Sequence, residues 1–379
     1  MSSTEIFKVA SDRELSESGG GHNQKGTNFQ RVWAVARMFE LEDEGKDFLL
    51  LFESIQDVAV FDAEKSPTLV SIYQVKKKDS SNWKWNELTG LLALTTKKAD
   101  AQPLTVVKGS PLGKLYASVM AFKEIKSIGC FISNMGCDLP LLVGGNAATT
   151  TGCDLSKLDA KHVARLSAAL ATLHETAGMS PELHRVRVEK VAIHPDAPET
   201  ALVGIAHTFL AARSPHHANQ ARTLVDALLA KVGPLGAKTD ACQTFEDLRR
   251  QRGYSREQFR EALATLERIP DIESIVSDWL HSWPSDAAFN FVERTRVKLE
   301  VARIYQARLA GPIDPTDVGL VAAIDTWLEE HPLSSDPASA LQMARGSLAS
   351  KFPEARTETF TAHFLMRAAK LCADQISSS

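Results

Sequence analysis

Three short apolar segments between residues 48 and 76 constrain the fold of this chain more than any other feature. They are Phe48–Ser54, Asp57–Phe61 and Leu69–Lys76, and each contains the aromatic or β-branched residues typical of strands. A turn at Asp62–Thr68 separates the last two segments. Because connections this short cannot carry a parallel crossover, we predict that the three segments form an antiparallel meander.

Helical patterns flank this meander. Before it, five apolar residues recur at helical spacing: Phe29, Val32, Trp33, Ala36 and Phe39. After it, we predict helices around Trp85–Lys97 and Leu112–Ile125, and a buried strand at residues 128–133. The order of helix, three strands, helix and strand predicts an α/β fold with a small mixed sheet flanked by helices.

The second half of the chain has a different pattern. After about residue 155 the sequence is almost wholly helical, with apolar stripes that are often followed by Gly or Pro. Residues 1–21 are polar and end in three consecutive glycines, which is typical of a flexible segment. We therefore predict a flexible segment at residues 1–21, an α/β domain at 22–155 and a mainly helical domain at 156–379.

Composition excludes several classes of protein. The net charge is only −4, so a nucleic-acid partner requires positive charge that is concentrated locally. The five cysteines contain no CxxC pair, which disfavours a zinc site or a disulfide framework. The first residues lack the apolar core of a signal peptide, and no run of about 18 apolar residues exists. We expect a cytoplasmic protein without a membrane span.

Polar residues at the ends of two predicted strands form a candidate site. Gln74 and Lys76 are two residues apart on one strand, so both point to the same face of the sheet. The spacing between Asp57 and Gln74 leaves room for one strand, a turn and the returning strand. A meander with this register brings Asp57 beside Gln74 and Lys76.

These residue types suit the hydrolysis of a phosphodiester bond. The Asp57 carboxylate can hold Mg²⁺ (or Mn²⁺), a hard cation that prefers oxygen ligands. The amide oxygen of Gln74 and the backbone carbonyl of Val75 can serve as neutral oxygen ligands. A bound metal polarises the phosphate and activates water. Lys76 can orient the water and offset the charge that develops on the phosphate.

An ordered set of motifs carries a resemblance to a known family. The D…QxK pattern resembles the Mrr-like branch of PD-(D/E)XK nucleases, in which glutamine replaces the usual second acidic residue. In order along the chain, GGGHNQKGTNFQRVW, ESIQDVAVFD, YQVKKK and FISN resemble the double-stranded-DNA endonuclease domain of CD-NTase-associated defence effectors. Related domains occur in Lamassu endonuclease subunits and in nucleases paired with HerA helicases. The resemblance covers roughly residues 18–155.

The resemblance implies a fold, an activity and site residues. It implies a restriction-endonuclease-like domain that cleaves double-stranded DNA with the help of Mg²⁺ in anti-phage defence. By position, Asp57 matches the metal-binding aspartate, Gln74 the second ligand and Lys76 the catalytic lysine. Gln30 stands where these nucleases often place an additional polar or acidic residue near the metal. Glu53 is either a further ligand or a neighbour of the site.

The resemblance also implies partners. We expect an ATPase partner, SMC-like as in Lamassu or HerA-like, with the helical half holding the nuclease idle until infection is sensed. Because paired cuts on two strands require two active sites, we expect a homo-oligomer in the active state.

A cluster of lysines beside the site has two interpretations. Lys77, Lys78 and Lys84 lie close to Trp83 and Trp85 in the sequence and predict a basic, aromatic surface that contacts DNA phosphates. Equally, the two tryptophans can anchor the helix that follows.

Other interpretations of the site also stay open. Asp57 is the type of residue that often occupies a turn, and Lys76 lies in a charge run that is commonly solvated. The alternative function is a non-catalytic DNA-binding or scaffold subunit that keeps the nuclease fold.

Overall fold

The structure is a computed structural model that describes residues 2–12, 15, 24–174, 178–235, 242–267, 271–283, 290–310, 315–331, 333 and 337–377. The chain forms two compact units, Met1–Leu266 and Glu267–Ser379. None of the helices in these described ranges is long and apolar enough to cross a membrane.

The first unit is built on a mixed sheet. The strands are β1 (Leu49–Phe52), β2 (Val58–Phe61), β3 (Leu69–Lys76), β4 (Trp83–Lys84), β5 (Lys126–Ser133), β6 (Cys137–Asp138), β7 (Gly152–Asp154), β8 (Val186–Lys190) and β9 (Gly253–Ser255). Seven of them form one sheet in the order β7-β8-β5-β3-β2-β1-β9, and β4 pairs with β6. β1, β2 and β3 are antiparallel, which confirms the predicted meander, whereas β3, β5 and β8 are parallel.

Helices cover both faces of this sheet. They are α1 (Ser2–Ala10), α2 (Gln24–Asp43), α3 (Trp85–Thr89), α4 (Pro111–Ala121), α5 (Ala160–Ala171), α6 (Pro198–Arg213), α7 (Ala221–Val232), α8 (Phe245–Arg252) and α9 (Arg256–Glu267). Alternation along β3 divides the apolar side chains between two cores. Val70 and Ile72 pack into the core that contains α4, and Tyr73 and Val75 pack into the core that contains α2. The fold class predicted from the sequence, a mixed sheet flanked by helices, is confirmed.

The sheet continues well beyond the predicted α/β domain. β8 and β9 lie in the part of the chain that the sequence predicts to be helical, and the first unit extends to Leu266 instead of ending at residue 155. β8 is a single five-residue strand among helical patterns, although Val186 and Val188 alternate with the exposed Arg187. β9 has three residues, too few to show an alternating pattern. It nevertheless pairs with β1, which lies near the start of the same unit in the sequence.

Two helices also differ from the prediction. The helix predicted at Trp85–Lys97 ends at Thr89, because Gly90 takes a left-handed conformation with φ of 71°. Within the predicted flexible segment at residues 1–21, residues 2–10 form α1, which buries Ile6 and Val9 in the core. Residues 13–14 and 16–21 of that segment lie outside the described residues.

The second unit is helical. It contains α10 (Ile272–Ser282), α11 (Phe291–Ala310), α12 (Pro315–Glu330), α13 (Pro337–Leu348) and α14 (Thr357–Ser377). Its own core includes fully buried residues of α14 such as Phe364 and Leu365, together with Trp327 of α12. This unit confirms that a helical region follows the α/β sheet.

A buried ion cluster ties three helices of the first unit together. The Glu42 side chain, near the end of α2, is fully buried and accepts hydrogen bonds from Arg213 of α6 at 2.9 Å and from Arg256 of α9 at 2.7 Å. Arg260 of α9 also lies 2.9 Å from the carboxylate. Burial opposes ionisation of Glu42, but hydrogen bonds from Arg260 and Arg256 outweigh it and lower the pKa of this carboxyl. The cluster therefore stabilises the packing of α2 against α6 and α9.

We expect Glu42→Gln to destabilise the first unit by about 2 kcal/mol, because the arginines lose their buried counter-charge. Chemical denaturation of the full chain measures this change. The matched control is Glu40→Gln, since Glu40 is an exposed glutamate on the same helix with an ion pair to Arg37. An exposed pair of this kind contributes at most about 1 kcal/mol. Equal effects of the two substitutions would contradict a structural role for the cluster.

Candidate active site

Asp57, Gln74 and Lys76 lie together at one end of the sheet. In the pairing of β2 with β3, Val58 stands opposite Tyr73, and one further step of this antiparallel register places Asp57 opposite Gln74. Alternation along β3 puts Gln74 and Lys76 on one face. The structure therefore brings together the three residues that the sequence places at the ends of two strands.

The Asp57 carboxylate is buried and held from two sides. The residue is 3% exposed, and its Oδ2 accepts a hydrogen bond from the backbone N–H of Val75 at 2.6 Å. The ammonium of Lys76 lies 3.4 Å from Oδ2 and 3.5 Å from Oδ1. A buried carboxylate is costly unless charge and hydrogen bonds compensate it. Asp57 is thus part of an internal polar cluster, and Lys76 is not simply part of a solvated charge run.

Gln74 is fully buried beside a second glutamine that the sequence analysis does not single out. Its Nε2 donates to Oε1 of Gln56 at 3.4 Å. Gln56 is also buried and donates through its own Nε2 to the carbonyl of Leu15 at 2.8 Å and to Oγ of Ser118 at 2.9 Å. The signal in the sequence is a polar residue directly before Asp57 in the motif ESIQDVAVFD. Its partners in the N-terminal segment and in α4 are visible only in the fold.

The loop between β1 and β2 delivers Gln56 and Asp57 to the site in an unusual conformation. Glu53 and Gln56 have φ of 48° and 56°, in the left-handed region that costs non-glycine residues energy. The backbone N–H of Glu53 donates to the carbonyl of Asp57 at 3.0 Å. The guanidinium of Arg252 donates to the carbonyl of Glu53 at 2.6 Å. The backbone of Glu53 therefore closes this loop, and Arg252 braces the loop from the end of α8.

Gln30 connects α2 to the same cluster. Its Nε2 donates to the carbonyl oxygen of Val75 at 3.2 Å. The Val75 residue is thus held at both ends, since its N–H donates to Asp57 and its carbonyl accepts from Gln30. A carbonyl oxygen has two lone pairs, so it can bind a second partner in addition to Gln30.

The end of β5 fixes the chain where it leaves β3. Asn134 accepts a hydrogen bond from the backbone N–H of Lys78 at 2.9 Å and donates to the carbonyl of the same residue at 2.8 Å. Ser133 accepts a hydrogen bond from the indole N–H of Trp83 at 2.8 Å. These contacts give a structural reason for the last two letters of the FISN motif.

The lysines after β3 form ion pairs within the protein. Lys77 lies 2.8 Å from Asp79. Lys78 donates to both carboxylate oxygens of Glu87, at 2.7 and 2.9 Å. Lys84 is exposed, and its backbone N–H donates to Glu87. Of the three lysines predicted to contact DNA, Lys84 presents the most exposed side chain, and Lys78 contributes to the local structure.

The two tryptophans of this region pack against the protein. Trp85 is 6% exposed and belongs to the core below α3. Trp83 is half-buried, and its ring centroid lies 5.2 Å from that of Phe131. The ammonium of Lys78 lies over the Trp83 ring, 4.7 Å from its centroid. Both tryptophans therefore anchor the chain around β4 and α3, as the second interpretation of the sequence proposes.

The oxygen atoms of the site match the chemistry of a hard cation. Asp57 brings one carboxylate, and Gln74 and Val75 bring one amide and one backbone carbonyl. Over the described part of the chain, no group of three or more His, Cys, Asp and Glu side chains could hold a metal ion. Carboxylate, amide and carbonyl oxygens are the ligands that hard cations such as Mg²⁺ prefer.

A comparison with protein families gives a match that covers the sheet and the candidate site. The family model described as Cap4, dsDNA endonuclease domain, matches residues 18–233, more than half of the chain. No curated protein and no solved structure matches. The matched region contains α2, the strands β1 to β8 and the residues Gln30, Asp57, Gln74 and Lys76. It extends beyond the boundary near residue 155 that the sequence motifs suggest.

We expect Asn134→Ala to lower the free energy of unfolding by roughly 2 kcal/mol, because both partly buried hydrogen bonds to the Lys78 backbone are lost. Thermal or urea denaturation of the full chain measures the effect. Asn86→Ala is the control, since Asn86 is an exposed residue of α3. A change in stability no larger than that of the control would show that Asn134 does not hold the end of β3.

Proposed function

Because the chain belongs to the family of Cap4 dsDNA endonuclease domains, we propose that it is a metal-dependent endonuclease of an anti-phage defence system. Its site hydrolyses phosphodiester bonds of double-stranded DNA. The observation that carries this proposal is the buried Asp57 carboxylate, held opposite Gln74 and 3.4 Å from the ammonium of Lys76. These groups lie inside the matched region.

Oxygen ligands from β3 and from the residue directly before β2 would hold the cation. Asp57 contributes its carboxylate, Gln74 its amide oxygen and Val75 its backbone carbonyl. When bound, Mg²⁺ or Mn²⁺ supplies polarisation of the scissile phosphate and a lower pKa for an attacking water. Gln30 supports this arrangement because it holds the Val75 carbonyl from α2.

Lys76 supplies positive charge on the reacting side. Its ammonium now pairs with Asp57 and neutralises the buried carboxylate. With DNA in the site, the ammonium of Lys76 would turn towards the phosphate oxygens. There it orients water and offsets the negative charge that grows in the transition state.

The remaining parts of the proposal concern control. The second unit acts as a regulatory or oligomerisation domain that holds the nuclease idle with an ATPase partner, SMC-like or HerA-like. Its support is the resemblance of the nuclease domain to Lamassu and HerA-associated nucleases. An active homo-oligomer would supply the two sites that a double-strand cut requires. The alternative function is a DNA-binding scaffold that keeps the fold without catalysis.

We expect Lys76→Ala and Asp57→Asn each to reduce plasmid cleavage on the order of 100-fold, because each removes a charge that acts in the transition state. Cleavage is measured with Mg²⁺ for the full chain, alone and with candidate ATPase partners. Asp57→Asn preserves an acceptor for the Val75 N–H, so it separates catalysis from folding. Lys126→Ala is the control, since Lys126 lies on β5 opposite Leu69, at the other end of the paired strands.

The outcomes separate the two functions. Loss of cleavage in both site variants, with normal thermal unfolding and an active control, supports the nuclease. A wild-type protein that binds DNA but stays inactive with every partner and metal supports the scaffold.

We expect Lys84→Ala to weaken DNA binding in a salt-dependent way, because Lys84 is the exposed lysine of the proposed phosphate-binding surface. The slope of log affinity against log salt is negative, and its magnitude should decrease by about 0.9, the value for one phosphate contact. Fluorescence anisotropy with a short duplex in Ca²⁺ measures the slope. Lys65→Ala, an exposed lysine in the turn between β2 and β3, is the control. An unchanged slope for Lys84→Ala would remove this residue from the surface.

A further inference from the structure

Gln74 can act as an oxygen ligand only if its amide is oriented correctly. A carboxylate presents two equivalent oxygens, whereas a glutamine amide has one oxygen and one NH₂ group of nearly the same shape. A half-turn of the amide would therefore place a donor where an oxygen ligand is needed. A site that uses glutamine in place of an acidic residue needs a neighbour that selects one of the two orientations.

The hydrogen bonds of Gln56 define its own orientation. Its amide lies 2.8 Å from the carbonyl oxygen of Leu15, a group that can only accept. It also lies 2.9 Å from Oγ of Ser118, and the hydroxyl of Ser118 donates to the carbonyl of Lys114 at 3.1 Å. Both neighbours thus require a donor, so the NH₂ group of Gln56 must face them. Its Oε1 must then face the other way.

The orientation of Gln56 determines that of Gln74. The atom of Gln74 that lies 3.4 Å from Oε1 of Gln56 has to be a donor, which is Nε2. The carbonyl oxygen of Gln74 is therefore on the side of the amide that points away from Gln56. Both side chains are buried, with exposures of 2% for Gln56 and 0% for Gln74, so bulk water cannot replace these contacts.

We propose that Gln56 is a positioning residue that orients the amide of Gln74 so that its oxygen is available to a divalent cation. This inference rests on the proposed function, because it assigns a role to Gln56 through the metal site. The left-handed conformation of Gln56 belongs to the same arrangement, since it is part of the loop that brings this side chain to Gln74. The N-terminal segment and α4 take part through Leu15 and Ser118.

Binding of Mn²⁺ alone to the full-length protein, followed by electron paramagnetic resonance, tests this role without reference to cleavage. We expect Gln56→Met to weaken Mn²⁺ binding by roughly tenfold, as for other residues that orient a metal ligand. Gln56→Asn, whose shorter amide cannot reach Gln74, should have the same direction of effect and serves if the methionine variant does not fold. The control is Gln102→Met, because Gln102 instead holds the backbone of Gly90 and Leu92.

A second substitution distinguishes orientation from general structural support. Gln74→Glu supplies two equivalent oxygens, so the position no longer depends on how its side chain is turned. In that background, Gln56→Met should weaken Mn²⁺ binding by no more than about twofold, because a carboxylate leaves no amide orientation for Gln56 to select. A merely structural role of Gln56 would weaken binding equally in both backgrounds.

The outcomes separate this inference from the proposed function. If the wild-type protein binds Mn²⁺ and neither Gln56 variant changes its affinity, Gln56 does not position Gln74, and the metal site stands. An equal loss in the Gln74→Glu background also overturns the positioning role. If neither the wild-type protein nor Gln74→Glu binds Mn²⁺ saturably, the metal site itself is wrong, and the inference fails with it.

Discussion

The pairing of β3 with β2 on one side and β5 on the other is the interaction on which the rest of the first unit depends. The antiparallel side sets Asp57 against Gln74, and the parallel side aligns Lys76 with Ser133 at the end of β5. The alternation of β3 also sends apolar side chains into two cores. A shift of one residue in either ladder would exchange the two faces, burying Tyr73 where Gln74 now lies. The packing of the cores and the geometry of the candidate site are therefore fixed by the same register.

The candidate site is a network of hydrogen bonds between buried polar groups and the backbone. Arg252 braces the loop at Glu53, Gln56 contacts Gln74, and Asp57 accepts from the Val75 N–H. Within an apolar interior, such a network is stable only when its donors and acceptors are matched. One carboxylate and one lysine give a pair that is neutral as a whole. This neutrality allows the site to be buried before a cation or a phosphate is present.

The sequence predicts those parts of the fold that depend on neighbouring residues. Apolar runs and a short turn predict β1 to β3, and the two-residue spacing predicts that Gln74 and Lys76 share a face. β9 is too short to show a period, and it pairs with a strand that is remote in the chain. β8 does alternate, but it is a single five-residue strand among helical patterns. Gln56 and Arg252 could not be found in this way either. The fold buries Gln56 against Leu15, Ser118 and Gln74, which are remote from it in the sequence. Arg252 reaches the loop from the end of a helix that is equally remote in the sequence.

The position of β9 has a consequence for the order in which the protein can be made. β1 exposes an unpaired edge until residues 253–255 are synthesised, and such an edge is open to pairing with other chains. Arg252, the residue directly before β9, arrives at the same moment. Both lie beyond residue 233, where the family match ends. A nascent chain therefore completes its sheet and the brace on the Glu53 loop in one late step, and a chain that stops short of this point carries the candidate site on an unfinished sheet.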